Sequence, residues 1–299
     1  MKLIGVTKNG QDARSVPPGF AALLALLAAL FASAVALAPR ADAHIYWTNT
    51  TTGSIGRANL DGTGVEKSFI TGAGTPLGIA ADARHVYWAN TGRDTIGRAT
   101  LSGKGVNQSF LSIADSFRPY DVAVNADHIY WAAEATPFVG RARIDGTRAQ
   151  PRFIGTTSHS PSGVAVNARH IYWTANPRGI GKIGRANLNG SGVKTRFIRT
   201  DTGPYRIAVG GRHIYWTTTW NRIARADLGG THVQPKFIST GKGSPRGIAV
   251  AGRHVYWTSA GWIGRANLDG TGVRPRFIHT GGTPWDVAVV PGAPHHGRG

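Results

Sequence analysis

The pattern His-x-Tyr-Trp occurs six times, beginning at His44, His85, His128, His170, His213 and His254, at intervals of 41, 43, 42, 43 and 41 residues. Self-similarity at a fixed period restricts a chain to architectures made from one repeated supersecondary unit. Each copy continues in the same way. An Ile/Val-Gly-Arg-Ala segment follows at Ile55–Ala58, Ile96–Ala99, Val139–Ala142, Ile183–Ala186 and Ile263–Ala266, with Ile223–Ala226 as its Ala-containing version. A Leu-Asp-Gly-like turn, a Phe-Ile/Leu pair and a Pro-x-x-Ile/Val-Ala segment complete the unit. Four short apolar segments in about 42 residues, divided by turn residues, are one blade of a propeller. The predicted fold is all-β: a six-bladed β-propeller with four antiparallel strands per blade.

The alternation inside each segment fits blades covered on both faces. In the first copy Ile45 and Trp47 point to one side and Tyr46 to the other, so each face offers bulk to a neighbour. Asp61-Gly62, Asp145-Gly146, Asp269-Gly270 and Asn189-Gly190 are hairpin signals. Pro151, Pro235 and Pro275 precede the Phe-Ile segment, which makes that segment the outermost strand, because Pro is tolerated where no ladder bond is required. The repeats begin on a second strand, at His44, and end on a spare first strand, Trp285 to Val290. Six full blades arise only when that last strand joins blade one.

Tyr46-Trp47-Thr48, Tyr172-Trp173-Thr174, Tyr215-Trp216-Thr217 and Tyr256-Trp257-Thr258, together with Ile55-x-Arg57-Ala58-Asn59-Leu60-Asp61-Gly62, resemble the YWTD-type repeat, the class B repeat of the low-density-lipoprotein receptor family. The likeness runs from residue 44 to 290. It implies a six-bladed ring that binds extracellular ligands without catalysis. The fourth letter departs from the family's Asp and reads Asn49, Asn90, Ala133, Ala175, Thr218 and Ser259.

A residue repeated in every blade is most simply scaffold. The six His, the twelve Tyr and Trp of the motif, and Arg57 with its equivalents fall under that reading, the Arg side chains stacking on the motif aromatics. Function belongs where the symmetry breaks. Trp220, Trp262 and Trp285 lie outside the repeat, all on the face that carries the loops after His-x-Tyr-Trp. At the position of Trp285 the other blades carry Leu77, Tyr120, Ser162, Tyr205 and Arg246. One residue further on stand Gly78, Asp121, Gly163, Arg206, Gly247 and Asp286, which would set two carboxylates and one guanidinium at a channel mouth.

The expected ligand-binding rim is Tyr120, Asp121, Glu134, Tyr205, Arg206, Trp220, Trp262, Trp285 and Asp286, with a protein, peptide or glycan as ligand. No catalytic residue, no metal and no cofactor is assigned. The main enzymatic alternatives are a metal-dependent hydrolase or lactonase, for which Asp121, Glu134 and Asp286 form the best carboxylate cluster, and a cyclic-peptide lyase using a His outside the motif: His159, His232 or His279. No nucleophile elbow, phosphate loop or zinc spacing occurs.

Composition adds compartment and partners. Lys2, Lys8 and Arg14 precede an apolar run, Phe20 to Ala38, that leads to Ala41-Asp42-Ala43. This is the layout of an export signal cut after Ala43; an uncleaved anchor is the alternative. The domains are therefore a signal at 1–43, a propeller at 44–290 and a disordered tail at 291–299, and the protein is expected outside the cytoplasm, secreted or at the cell surface. There is no cysteine, so no disulfide framework or thiolate chemistry is available. The formal charge is +19, and removing residues 1–43, with four basic and two acidic side chains, leaves +17. Such a surface gives a third functional alternative, a scaffold adhering to anionic envelope polymers. A nucleic-acid partner is not expected for an exported chain, which is read as a monomer.

Overall fold

The computed structural model describes residues 43–113, 117–134, 136–156, 160–175 and 181–290. Apart from Ala43, the signal assigned to residues 1–43 lies outside the described residues, as does the tail at 291–299.

Each repeat folds into a four-stranded antiparallel sheet, and the six sheets form a ring. The innermost strands are Pro284–Val290 in blade 1, then Pro76–Ala81, Pro119–Val124, Pro161–Val166, Pro204–Gly210 and Ile248–Ala251 in blades 2 to 6; each packs against the next around one axis. The His-x-Tyr-Trp segments are second strands. The Phe-Ile segments are outermost, as their Pro residues predict. Blade 1 closes the ring: Pro284–Val290, from the end of the chain, pairs antiparallel with His44–Asn49 from its beginning, with Ile45 opposite Val289 and Trp47 opposite Val287.

The core lies between blades rather than within them. Ile45 and Trp47 pack with Tyr256 of blade 6, whereas Tyr46 packs with Val86 and Trp88 of blade 2, and this arrangement recurs around the ring. All six motif Trp are buried. The large indole has room because the residue opposite it on the third strand is Gly: a Cβ at Gly56, Gly97, Gly140, Gly184 or Gly264 would overlap the ring of Trp47, Trp88, Trp131, Trp173 or Trp257. Only blade 5 departs, with Ala224 opposite Trp216.

The structure corrects one expectation about the scaffold. The repeated Arg side chains stack not on the motif Tyr or Trp but on the Phe of their own outermost strand: Arg57 lies 3.9 Å over the Phe69 ring, Arg98 3.7 Å over Phe110 and Arg225 3.8 Å over Phe237. The motif rings are buried between blades, which leaves the Phe ring as the aromatic face within an Arg's reach. The guanidinium groups of Arg57, Arg141, Arg185, Arg225 and Arg265 donate to a Leu carbonyl of the next blade, as from Arg141 to Leu188 (3.1 Å) and Arg225 to Leu268 (3.1 Å), so each of these five links two blades.

Candidate functional site

The loops after the second strands and before the innermost strands share one end of the ring, shown by the bond from the Thr50 amide to the Thr283 carbonyl (3.3 Å). At that end Tyr120, Tyr205 and Trp285 open the innermost strands of blades 3, 5 and 1. These blades are not adjacent, yet the three ring centroids are 6.1–6.4 Å apart in pairwise tilted or edge-to-face contact. Only the axis brings them together. The three rings are partly exposed, the Tyr120 and Tyr205 hydroxyls hydrogen-bond to each other, and the Arg246 guanidinium covers Trp285 at 4.4 Å. Edge-to-face packing of this kind adds to simple area burial. Burial raises the Tyr205 hydroxyl pKa well above its usual value, so it stays protonated.

Beneath the rings lies a sealed ionic cluster. Arg206 is 1% exposed, Asp121 3% and Asp286 4%, so these groups do not line the open mouth that sequence reasoning assigned to them. Arg206 packs under Tyr120 at 4.7 Å and Tyr205 at 5.3 Å. Its guanidinium donates to the Ser162 carbonyl and to the Tyr120 carbonyl (2.8 Å), and lies 3.9 Å from both Asp121 and Asp286. Asp121 accepts from the amides of Val122 and Val164, each at 2.9 Å. Asp286 accepts from Val287 at 2.9 Å and from Ile79 at 3.2 Å. Every one of these side chains thereby joins its blade to another, which makes the cluster a hub.

Burial pushes both carboxyl groups upward. For Asp286, with Asp121 as a like charge beside it, the pKa rises to about 8 despite the opposing Arg206. With its pKa near 8, Asp286 keeps its proton at neutral pH, which lowers the repulsion between the two buried carboxyl groups. Burial works against the charge on Arg206, but the two carboxylates outweigh it and raise its pKa.

Local structure fixes this arrangement in two ways. The Thr of Tyr-Trp-Thr bridges neighbouring innermost strands: Thr48 donates to Leu77 (2.6 Å) and accepts from the Asp286 amide (3.0 Å), and Thr217 donates to Arg246 (2.8 Å) and accepts from the Arg206 amide (3.0 Å). Glycine supplies the space. A Cβ at Gly78 or Gly247 would overlap Asp121 or Asp286, and one at Gly163 would press on the Arg206 backbone. The charged residues thus enter only from alternate blades, each beside a Gly in the blade before it.

Of the nine residues expected at the rim, six converge at the axis: Tyr120, Asp121, Tyr205, Arg206, Trp285 and Asp286. Three do not. Glu134 is exposed and faces Arg118 at 3.4 Å, away from the buried Asp121 and Asp286, and among the described residues no group of three acidic or His side chains is placed to hold a metal ion. The expected carboxylate cluster is therefore not assembled. Trp220 is 69% exposed, and Trp262 packs against His279 (4.7 Å) near the outermost strand of blade 6. Of the His considered as bases, His159 lies outside the described residues, His232 is bonded to Asp227 at 2.6 Å in an exposed turn, and His279 backs Trp262. Sequence reasoning missed the roles of Arg246 over Trp285 and of the spacing glycines. The signal available was the strict alternation of Gly78, Asp121, Gly163, Arg206, Gly247 and Asp286, which is a three-fold pattern laid on a six-fold one.

A family model described as the virginiamycin B lyase family matches residues 9–269, most of the chain. The chain belongs to that family. No curated protein sequence matches it. Among solved structures, a chain of a nidogen/laminin complex is similar with a TM-score of 0.69 and 19% identity, over 83% of this chain and 98% of that one. The tricorn protease is similar with a TM-score of 0.59 and 16% identity, over 79% of this chain and 26% of that one. A Bacteroides thetaiotaomicron protein of unknown function follows at 0.51 and 16%, over 65% and 56%. At these identities the likeness concerns the fold alone.

Proposed function

We propose that this family member is an exported binding propeller that takes its ligand at the axial aromatic mouth of Tyr120, Tyr205 and Trp285. The observation that carries the reading is the convergence of these three partly exposed rings, from alternate blades, above a hub whose charged groups are already engaged with the backbone. Aromatic side chains in a central, supported patch are the residue type on which binding energy concentrates. The ligand class is a protein, peptide or glycan that presents an apolar or ring surface to the mouth, beside the Arg246 cation. The YWTD-type reading of the repeat supports a protein or peptide, and the ring-wide likeness to a chain of the nidogen/laminin complex agrees with it. The basic, then apolar, then small-residue order of residues 2–43 supports export.

The test is a screen of the chain against peptide and glycan arrays, followed by Trp285→Ala and Tyr205→Ala on any hit. Loss of affinity by about 30-fold, the roughly 2 kcal/mol of a hot-spot residue, is expected. A ligand held equally by both variants overturns the reading.

The family match favours one second reading, a lyase acting at the same mouth. It needs a base that reaches the ligand, whereas Asp121 and Asp286 lie beneath the rings and the Tyr205 hydroxyl is held protonated. Incubation with virginiamycin B followed by chromatography and mass spectrometry separates the two readings: binding without a new product supports the first, and a new product the second.

A further inference from the structure

One cleft lies away from the axis. It has a volume of about 460 Å³ and sits at the rim of blade 6, between the loop at Gly241–Gly243, the turn at Ala260 and the outermost strand at Pro275–Arg276. Its walls are held in place. Ser259 donates to the Gly243 carbonyl (3.1 Å), and Gly243, at φ +95, has no room for a Cβ beside the Ser259 hydroxyl. Trp262 forms one wall, with His279 packed on it at 4.7 Å and the Arg276 guanidinium 5.8 Å from its ring centre. Lys242 and Arg276 bring two cations to the cleft, and no carboxylate lines it.

We propose that this cleft is a second binding site, for a carboxylated sugar, a uronate unit of an acidic glycan. A partly exposed indole is a flat, low-entropy platform for the C–H face of a pyranose. The Arg fork and the Lys ammonium match a carboxylate, and without an opposing acid neither charge is neutralised within the site. An extended peptide fits less well. It would have to add to the edge strand Arg274–His279, where Pro275 supplies no amide donor. An indole stands at this position in blade 6 alone: the equivalents of Trp262 are Ser54, Thr95, Phe138, Lys182 and Arg222.

Titration of the full chain with trigalacturonate by calorimetry tests the proposal, with the methyl-esterified trimer and a sulfated trisaccharide as companions. Trigalacturonate binds, the methyl ester binds at least 10-fold more weakly, and Trp262→Ala and Lys242→Ala each weaken trigalacturonate at least 10-fold. Melting curves identify any variant that fails to fold; Lys242→Ala, in a surface loop, keeps the parent's melt and carries the test alone if Trp262→Ala does not. Trp285→Ala, at the axial mouth, leaves this affinity unchanged. Absence of heat, equal binding of the ester, tighter binding of the sulfated sugar, or parent-like binding by Lys242→Ala overturns the proposal.

Discussion

Trp47 and its five equivalents sit in matching environments between blades, each fully enclosed and each packed with the Tyr of the preceding blade. Tyr120, Tyr205 and Trp285 also occupy equivalent places in the repeat, but only in three blades; the other three hold Leu77, Ser162 and Arg246. The difference is geometric. The space between two blades is the same all round the ring, so one solution is used six times. At the axis six strands meet, and three large side chains fill what six would overcrowd. The charged layer beneath obeys the same limit, with Gly in every second blade. A repeated fold is therefore obliged to break its symmetry where its units converge, and that is where a distinctive surface arises.

The comparison is broken most forcefully by opening the ring. Deleting residues 284–299 removes the innermost strand of blade 1, exposes the Trp47 face and takes away Asp286, Trp285 and their bonds to the neighbouring blades. Propeller blades depend on nearest-neighbour interfaces. Loss of several buried side chains at about 1.5–3 kcal/mol each predicts insolubility or a fall in Tm beyond ~15 °C. An unchanged melt would mean that closure contributes little and that the two regions are independent.

A pH series sharpens the comparison at the hub. The unfolded chain ionises Asp286 near its ordinary value of 3.8, whereas the folded chain keeps that proton up to about pH 8. The folded state thus binds more protons through this window, so stability from this group is greatest below pH 4, declines as pH rises, and levels off above about 8. The slope approaches ~1.4 kcal/mol per pH unit. Asp286→Asn abolishes that slope, since an amide does not titrate. It also lowers Tm at pH 5, because the single amide oxygen does not serve both the Val287 and the Ile79 amides. Thermal melts of parent and variant at pH 5, 7 and 9 check this. Parallel curves would show that Asp286 is ionised throughout.

The smallest effect belongs to the repeated layer. Gly140→Ala directs a methyl group at the Trp131 indole and costs about 1–3 kcal/mol, a few degrees in Tm, as overpacking does in a dense core. Blade 5 already carries Ala224 opposite Trp216, so Ala224→Gly forces no overlap and costs only backbone entropy and one buried methyl, toward the lower end of that range. Equal effects at both positions would show that the indole layer gives way easily, contrary to its sixfold constancy.

The period of about 42, the alternating Ile45, Tyr46 and Trp47, the Asp-Gly turns and the Pro residues of the outermost strands determined the fold, because strand pairing and blade stacking depend on local patterns that repeat. Ring closure was equally legible: the sixth copy of the innermost strand, at Trp285 to Val290, has only the incomplete first blade to join. The two columns that begin at Leu77 and Gly78 marked where the symmetry fails. What they do there was decided by tertiary structure alone. Whether Asp121, Arg206 and Asp286 meet ligand or seal the axis depends on depth along the channel and on amides donated by other blades, and neither is written in sequence spacing. The separation of Trp262 from Trp285 has the same origin. Both lie on one face of the ring, but the radius at which a residue sits, at the axis or at the rim, follows from which strand of the blade carries it and from where the loops fold.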